Sequence, residues 1–433
     1  MLLSHCRGVR RKRSSPGVLP ALVATLLCGP DHARSFVTCG ALPAAHHGVV
    51  GSQSWLSIPG QRVGFPAQDD CMEAAHVRLR DFPGLGSHEG AHRGGGRVVA
   101  AGRGDGAGWA STSSTSTPAF THEQVPDETL YLLDGTSMLF RAFYGRGANG
   151  YIGSDGVTEV GAVQAMGVEL AQFVAEVRPR YLAVAFDVAR ESTFRRDMFP
   201  QYKAQRKPHP EDLLLQVPLA EAMVRALGCR SFSLEGFEAD DVMATLAAWA
   251  KGAGLSAVVV STDKDMCQLI QDRVHVMMPR SGDYSILGDS EVEEKFGVPP
   301  RRLPDLMGIV GDTVDNIPGI KGIGPKGGAR LLGHYGTLER LFEEGVYGGG
   351  LGQLGFRGCR QMQERLSQPG VKEEALLYRE IATLHTQVPL DGLEALHSSD
   401  LIYRGALPEA PGVMQALGFA GPLRLIEQRW RPR

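Results

Sequence analysis

Three short apolar runs, each closed by an aspartate, constrain the fold of this chain more than any other feature of its sequence. The runs cover 130–134, 181–187 and 257–263. Apolar residues recur at helical spacing over the stretches 160–177, 211–227 and 239–252. Strands that are apolar throughout and alternate with helices are typical of parallel sheets covered on both faces. The sequence therefore predicts an α/β fold built on a parallel sheet.

The aspartates that close these runs are the first candidates for chemistry. The carboxyl ends of parallel strands lie at one edge of a sheet, where ligands bind. We therefore expect Asp134, Asp187 and Asp263 to converge at that edge. An aspartate at a strand end commonly caps a turn, and turn chemistry alone is the alternative interpretation.

Further acidic residues are expected at the same edge. They are Glu238, Asp240, Asp241, Asp265, Asp312 and Asp315. Acidic charge at a helix N-terminus also complements the helix dipole, which would explain one or two of them without a metal. Nine clustered carboxylates would repel one another strongly unless cations neutralise them. No His or Cys shares these motifs, so the oxygen ligands favour Mg²⁺ or Mn²⁺ over Zn²⁺ and predict a two-metal site for phosphoryl transfer.

A basic segment lies between Asp187 and Asp241. Its cations are Arg190, Arg195, Arg196, Lys203, Arg206 and Lys207, and its aromatic residues are Phe194, Phe199 and Tyr202. Cations contact phosphates and aromatic rings stack on bases, so this composition favours a clamp for single-stranded nucleic acid. A solvated basic loop is the alternative.

A second candidate for nucleic-acid binding is the glycine-rich stretch 319–326. Its residues Gly319, Gly322 and Gly324 allow close approach of a phosphate, and Lys321 and Lys326 supply positive charge. A helix that begins at Pro325 would direct its free N–H groups outward. Glycines over 345–358 predict a flexible surface loop instead.

The first 120 residues differ in charge from the rest of the chain. They hold 12 Lys and Arg against 7 Asp and Glu, a net charge of +5, whereas residues 121–433 carry −8. An apolar run over 18–28 is too short to span a bilayer, and the Gly-, Ala- and Ser-rich residues after it cannot form a core. We expect a signal followed by a transit peptide, hence an organelle, with the plastid favoured over the mitochondrion. A disordered extension or a misassigned start is the alternative.

In unbroken order over about 128–430, the chain resembles the 5′→3′ exonuclease domain of bacterial DNA polymerase I, within the flap endonuclease family. The segments that carry the resemblance are 133–135 with Arg141, 186–187 with 193–195, 202–206, 236–241, 262–265 and 311–326. The resemblance implies a PIN-like α/β domain with a helical arch, followed by a helix–hairpin–helix domain. The expected regions are a disordered leader over 1–125, the nuclease domain over 126–298, the helix–hairpin–helix domain over 299–395 and an extension over 396–433.

The resemblance also implies roles for single residues. One metal ion would be held by Asp134, Asp187, Glu238, Asp240 and Asp263, and a second by Asp265, Asp312 and Asp315 with Asp241 nearby. Asp134, Asp187, Lys203 and Arg206 would be catalytic, with Lys203 and Arg206 steadying the scissile phosphate. A K⁺ ion at the 319–326 turn would be held by main-chain oxygens. The implied DNA contacts are Arg141, Phe194, Arg195, Tyr202, Lys203, Arg206, Lys207, Gly319, Lys321, Gly322, Gly324 and Lys326.

The expected function is that of a stand-alone, monomeric, Mg²⁺-dependent 5′→3′ exonuclease or 5′-flap endonuclease. Its substrates would be DNA with 5′ ends or flaps and RNA–DNA hybrids, processed during primer and flap removal in replication and repair. No membrane partner is expected. A related nuclease acting mainly on RNA and a non-catalytic, structure-specific DNA-binding module are the rivals. Loss of carboxylates would favour the binding module, but all nine are present.

Overall fold

The computed structural model describes residues 125–145, 150–188, 193–280, 283–355 and 357–431. All of these residues belong to one compact unit. Residues 1–124 of the predicted leader and Arg190 lie outside the described residues. The last residue of the predicted leader, Val125, is buried in a core and belongs to the folded part. In the portion that the structure describes, no helix is both long enough and apolar enough to cross a membrane.

The first part of the fold is an α/β layer structure. In chain order its elements are β1 Thr129–Asp134, α1 Gly135–Gly145, α2 Gly161–Val177, β2 Tyr181–Ala185, α3 Phe194–Met198, α4 Glu211–Leu214, α5 Gln216–Ala226, β3 Arg230–Phe232, α6 Ala239–Gly252, β4 Ser256–Val260, β5 Val274–Arg280, β6 Asp283–Leu287 and α7 Asp289–Phe296. A 3₁₀ helix, Lys264–Leu269, follows β4.

The sheet has six strands in the order β3-β2-β1-β4-β5-β6. Strands β1 to β5 are parallel, which confirms the expected α/β class. At one edge of the sheet β6 pairs antiparallel with β5, so the sheet is mostly parallel. Strands β2 and β4 also end at Ala185 and Val260, so only Asp134 belongs to a strand. Asp187 and Asp263 lie in the connections that follow the strands.

Alternate residues of the central strands enter different cores. Leu130 and Leu132 pack with α6 and with the helices that follow the sheet in sequence. Tyr131 and Leu133 pack with α1, α2 and α5 on the opposite face. This alternation is the side-chain period of a strand. Because both faces of the sheet are buried, the sequences of the strands are continuous apolar runs. Packing on both faces fixes the position of β1.

The second part of the fold is helical. Its helices are α8 Leu303–Val310, α9 Pro325–Tyr335, α10 Leu338–Arg340, α11 Cys359–Leu366, α12 Val371–Ala382, α13 Ala410–Leu417 and α14 Gly421–Arg429. A π-helical turn spans Leu341–Tyr347, and 3₁₀ turns span Pro300–Arg302, Leu351–Gln353, Leu393–Ala395 and Ser398–Leu401. Helices α8 and α9 share the core of the α6 face, whereas α13 and α14 return to the opposite face of the sheet.

The predicted flexible loop at 345–358 is instead partly packed. Leu351 is fully buried, and a Cβ atom on Gly345 would lie 2.7 Å from the ring of Tyr335. At least one glycine of this stretch, Gly345, therefore permits close packing. Composition alone could not distinguish a glycine that permits close packing from one that makes a loop flexible. The expectation of a loop is wrong over Gly345 and the turn Leu351–Gln353.

Candidate metal centre

Asp134 forms the centre of the acidic edge at the end of β1. Its Oδ1 accepts a hydrogen bond of 2.8 Å from the N–H of Ser137, and its Oδ2 accepts one of 3.2 Å from the hydroxyl of Ser261. These bonds fix the carboxylate between the start of α1 and the end of β4. Asp134 is only 6% exposed.

Asp187 joins the connection after β2 to the start of α6. Its main-chain N–H donates to the hydroxyl of Thr136 at 2.8 Å, and its Oδ1 accepts from the N–H of Ala239 at 2.7 Å. The second bond uses one of the free N–H groups at the helix N-terminus. Asp187 thereby aligns β2 with the helix that carries Glu238 and Asp240.

Asp263 and Asp265 stand at the turn after β4. The Oδ1 of Asp263 accepts from the N–H of Asp265 at 2.9 Å, so Asp263 caps the 3₁₀ helix Lys264–Leu269. The N–H of Asp263 donates to Ser261 Oγ at 3.1 Å. The hydroxyl group of Ser261 is therefore hydrogen-bonded to both the carboxylate of Asp134 and the main-chain N–H of Asp263.

Asp312 and Asp315 come from a tight turn after α8. The main chains of Asp312 and Ile317 exchange two hydrogen bonds of 2.7 and 2.8 Å, and Asp312 Oδ1 accepts from the N–H of Val314 at 2.8 Å. Gly311 has a φ of +79°, and a Cβ there would lie 2.4 Å from the carbonyl oxygen of Ile317. Only glycine permits that approach.

Burial and mutual repulsion raise the pKa values of several of these carboxyl groups. Burial, followed by the charge of Asp187, raises the pKa of Asp134 to about 7. Burial and the charges of Asp134 and Asp263 raise the pKa of Asp240 well above its ordinary value. Burial and Asp263 raise the pKa of Asp265 to about 7. The carboxylates therefore lie close enough to disfavour each other's ionisation.

Lys203, Arg206 and Lys264 compensate four of the acidic groups at this edge. Lys203 Nζ lies 2.8 Å from Glu238 Oε1 and 3.8 Å from Asp315 Oδ2, and Arg206 Nη2 lies 2.6 Å from Asp315 Oδ1. Lys264 Nζ lies 3.0 Å from Asp265 Oδ1 and also contacts Asp312 Oδ2. Burial would raise the pKa of Glu238, but Lys203 and Arg195 outweigh it and lower that pKa. Sequence reasoning missed Lys264, whose signal is its position between two aspartates.

The chemistry of this edge fits a hard divalent cation, although its present geometry is not that of a formed metal site. No three of the described Asp, Glu, His or Cys side chains converge as they would around a metal ion. The donor atoms are all oxygen, and Asp134 and Asp240 keep raised pKa values although Arg141 and Lys203 act to lower them. Metal binding would relieve that repulsion.

The structure contradicts two of the predicted site roles. Asp241 is fully buried, and both of its carboxylate oxygens are bonded to Arg195, at 2.6 and 2.7 Å. Asp241 is therefore an ion-pair partner and not a metal ligand. Arg195 is only 1% exposed, so the prediction that it contacts DNA is wrong. The helical spacing of Glu238 and Asp241 could not reveal that the second carboxylate turns into the core.

The aromatic residues of the basic segment are also engaged within the fold. Tyr202 is 3% exposed, and its hydroxyl lies 2.9 Å from Glu238 Oε2 and 3.1 Å from Asp315 Oδ2. Phe194 packs against Phe237 and His385. Base stacking on the ring of Tyr202, as predicted, is incompatible with its burial. Over the described residues 193–207, the segment forms one short helix, α3, followed by turns.

The remaining predicted DNA contacts differ in exposure. Arg206, Lys207, Lys321, Gly322, Gly324 and Lys326 are exposed, and Gly319 is half-buried. Arg141 forms an ion pair of 2.6 Å with Glu169. The carbonyl oxygen of Gly322, which lies in the turn where a K⁺ ion is predicted, accepts a hydrogen bond of 2.8 Å from Arg365.

The class of protein that this arrangement defines is an α/β nuclease, with an oxygen-only acidic edge above a mostly parallel sheet and a helical domain after it. Two family models match consecutive parts of the chain. The N-terminal resolvase-like domain of 5′-3′ exonucleases matches residues 129–297, and the C-terminal SAM fold of 5′-3′ exonucleases matches residues 298–401. Together they cover more than half of the chain, which belongs to the 5′-3′ exonuclease family.

Relatives of known name agree with this assignment. The chain is 38% identical over 280 residues to DNA polymerase I of Rhizobium leguminosarum, a match that covers 62% of this chain and 26% of the relative. It is 34% identical over 301 residues to DNA polymerase I of Bacillus caldotenax, covering 69% and 32%. The chain thus spans about a quarter to a third of the length of these curated relatives.

Two solved structures resemble this chain in part. T5 5′-exonuclease with bound divalent metal ions (zinc) is 20% identical, with a TM-score of 0.47, and the match covers 67% of this chain and 99% of that one. The catalytic core of Rad2 in complex with DNA substrate is 10% identical, with a TM-score of 0.48, and the match covers 72% and 95%.

The raised pKa of Asp134 predicts a pH-dependent stability in metal-free protein. A carboxyl group whose pKa is raised on folding stabilises the protein below its unfolded pKa, near 4, and this stabilisation is lost as the pH rises through about 7. Asp134→Asn removes the ionisation and retains an acceptor oxygen. In EDTA at about pH 8, we expect the variant to exceed the wild type by about 1 kcal/mol or more, roughly 2–4 °C in Tm, with a smaller difference at about pH 5.

Thermal unfolding followed by circular dichroism measures this difference. Asp391→Asn is the matched control, because Asp391 is exposed and its substitution should leave the pH dependence unchanged. An Asp134→Asn variant whose Tm follows the wild-type pH dependence would show that repulsion at this edge does not limit stability.

Proposed function

We propose that this chain is a divalent-metal-dependent nuclease that hydrolyses phosphodiester bonds at or near 5′ ends, acting as a 5′→3′ exonuclease and 5′-flap endonuclease. The observation that carries the proposal is the acidic edge of a chain that matches both domains of the 5′-3′ exonuclease family. DNA with 5′ ends or flaps is the proposed substrate, with RNA–DNA hybrids included, and the protein would act as a monomer. Primer and flap removal in replication and repair is the proposed role.

The residues divide into two groups of oxygen ligands. One ion would be held by Asp134, Asp187, Glu238, Asp240 and Asp263, and the other by Asp265, Asp312 and Asp315. Mg²⁺ is the proposed ion, with Mn²⁺ as a substitute. When bound, two such ions supply an activated water and stabilise the leaving oxygen.

The chain's own cations would act on the substrate. Lys203 Nζ lies 2.8 Å from Glu238 Oε1, and Arg206 Nη2 lies 2.6 Å from Asp315 Oδ1. A phosphate that reaches the acidic edge would therefore meet both side chains. Their charge would orient the scissile phosphate and offset its negative charge. The exposed Lys321 and Lys326, beside the start of α9, would bind the duplex backbone without reading its bases. A K⁺ ion at this turn remains part of the proposal.

A cleavage assay on the full chain tests the proposal. Labelled 5′-flap, nicked-duplex and single-stranded DNA, and the matching RNA substrates, are incubated with Mg²⁺ or with EDTA. We expect cleavage of DNA substrates near their 5′ ends, in Mg²⁺ only. Asp134→Ala, Asp187→Ala and Asp263→Ala should each lower the rate by roughly a thousandfold or more, because each removes a metal ligand.

Asp391→Ala, which removes an exposed carboxylate, is the control and should cleave at the wild-type rate. Preferential cleavage of RNA would support the rival RNA nuclease. Structure-specific binding without cleavage would support a non-catalytic DNA-binding module. A wild-type rate in any of the three aspartate variants would contradict the proposed ligand set.

The turn before α9 gives a second test, based on the salt dependence of binding. Each phosphate contact contributes about one unit to the slope of log K against log salt concentration. Lys321→Ala and Lys326→Ala should therefore weaken duplex binding equally for different sequences and lower the slope by roughly one unit each. Fluorescence anisotropy at several salt concentrations measures both effects.

Lys251→Ala is the control for charge alone, because Lys251 lies in the last turn of α6, at the other end of the helix from Glu238. Its salt slope should equal that of the wild type. Losses of affinity that depend on the DNA sequence would contradict binding to the backbone.

We also propose an organellar location, with the plastid favoured over the mitochondrion. The support is the basic, acid-poor leader of residues 1–120, with its net charge of +5. A fluorescent protein fused to residues 1–120 should enter an organelle, and deletion of residues 1–33 should keep it out of the secretory route. A diffuse cytosolic or nuclear signal from the intact leader would contradict this location.

A further inference from the structure

The basic segment and α6 are joined by a fully buried ion pair. The Arg195 and Asp241 side chains are 2% and 0% exposed. The guanidinium donates two parallel bonds, from Nη1 to Asp241 Oδ2 at 2.6 Å and from Nη2 to Asp241 Oδ1 at 2.7 Å. This two-bond geometry is the strongest and most directional form of a salt bridge.

The same pair also binds the end of α12 and the residues that follow it. Arg195 donates from Nε to the carbonyl of Ile381 at 2.8 Å and from Nη2 to that of Thr383 at 3.1 Å. Asp241 Oδ1 accepts from the N–H of His385 at 2.9 Å. Three separate segments therefore meet at one ion pair: the basic segment, the start of α6 and residues 381–385.

Both partners contact Glu238, which the proposed function places beside the metal ions. Arg195 Nη1 lies 3.4 Å from Glu238 Oε2, and the main-chain N–H of Glu238 donates to Asp241 Oδ2 at 3.3 Å. Glu238 in turn holds Lys203 at 2.8 Å. The ion pair thus fixes the carboxylate and backbone of Glu238 and, through them, the ammonium group of Lys203.

Stability alone is a weak reason for such an arrangement. Removing two charges from water is costly, and apolar residues of similar volume often replace a buried ion pair with no loss of stability. What apolar residues cannot reproduce is the directional contact of the guanidinium with Glu238 and with two main-chain carbonyls. The directional bonds are therefore the part of the pair that a function would use.

We propose that Arg195 and Asp241 are positioning residues, which hold Glu238 and Lys203 in the geometry that metal binding and cleavage require. The inference rests on the proposed nuclease function for its kinetic consequence and on the geometry of Glu238 for its effect on metal binding. It replaces the sequence-based roles of Asp241 as a ligand and of Arg195 as a DNA contact.

The test uses the full-length protein with Arg195→Met, Asp241→Leu and the two substitutions combined. Each single variant leaves one buried charge without its partner and should unfold at a lower temperature. The combined variant should unfold at a higher temperature than either single variant, although below the wild type, because the carbonyls of Ile381 and Thr383 lose their donor. Its kcat on 5′-flap DNA should nevertheless fall about tenfold or more, with a smaller change in KM. Its affinity for Mn²⁺ without DNA, measured by calorimetry, should fall about tenfold.

Arg225→Met combined with Glu221→Leu is the matched control. This pair is also an arginine–carboxylate pair within the α/β layer, with bonds to each other and to Ser231. Its removal should leave kcat and Mn²⁺ affinity unchanged. If Arg195→Met combined with Asp241→Leu does not fold, Asp241→Asn takes its place, since it keeps the shape and one acceptor and should show the same loss of Mn²⁺ affinity.

A folded Arg195/Asp241 variant with wild-type Mn²⁺ affinity and kcat would overturn the inference, because the pair would then be structural only. So would an equal loss in the Arg225/Glu221 control. Failure of the wild type to cleave any substrate would instead overturn the proposed function. The Mn²⁺ affinities of the variants would still decide whether the ion pair positions Glu238.

Discussion

Repulsion between carboxylates at one edge of the sheet is the constraint to which the rest of the structure responds. The pKa values of Asp134 and Asp265 are raised to about 7, and the pKa of Asp240 is also raised. Ionising such groups opposes folding. The edge is held by what surrounds it: a strand buried on both faces, capping bonds from main-chain N–H groups and the hydroxyl of Ser261. The acidic edge can exist because the scaffold beneath it is rigid.

Compensation of this charge differs among the acidic groups. Glu238, Asp265, Asp312 and Asp315 are each bonded to a lysine or an arginine. The pKa values of Asp134 and Asp240 are raised, and Arg141 and Lys203 lower them only in part. The pKa of Asp265 also stays raised, to about 7, although Lys264 lowers it. Lysine and arginine side chains therefore compensate the acidic edge only in part. A divalent cation would have its largest effect on the groups whose pKa values stay raised, since their compensation is incomplete.

The sequence predicted the sheet and the acidic edge because both follow from local rules. Apolar runs that alternate with helices specify buried parallel strands, and strand order brings their carboxyl ends together. The antiparallel β6 could not be foreseen, since its pairing with β5 depends on a tertiary neighbour. Asp241 and Arg195 were misjudged for a related reason: a charged residue is expected to face solvent, and only the packed structure shows that each is the other's partner. The prediction of a flexible loop at Gly345 was wrong because the composition of the stretch does not show that the ring of Tyr335 lies against this glycine.

The cations of the basic segment connect the present structure with the proposed function. Lys203 and Arg206 neutralise Glu238 and Asp315 in this state, and a phosphate in the site would draw on the same two side chains. Any shift of these cations toward a phosphate would leave Glu238 and Asp315 short of positive charge, which metal ions could supply. The buried Arg195 cannot take part in such an exchange, because its donors are committed to Asp241 and to main-chain carbonyls. The cations of the basic segment therefore have two different roles. Lys203 and Arg206 can change partners, whereas the buried Arg195 fixes the positions of the surrounding residues.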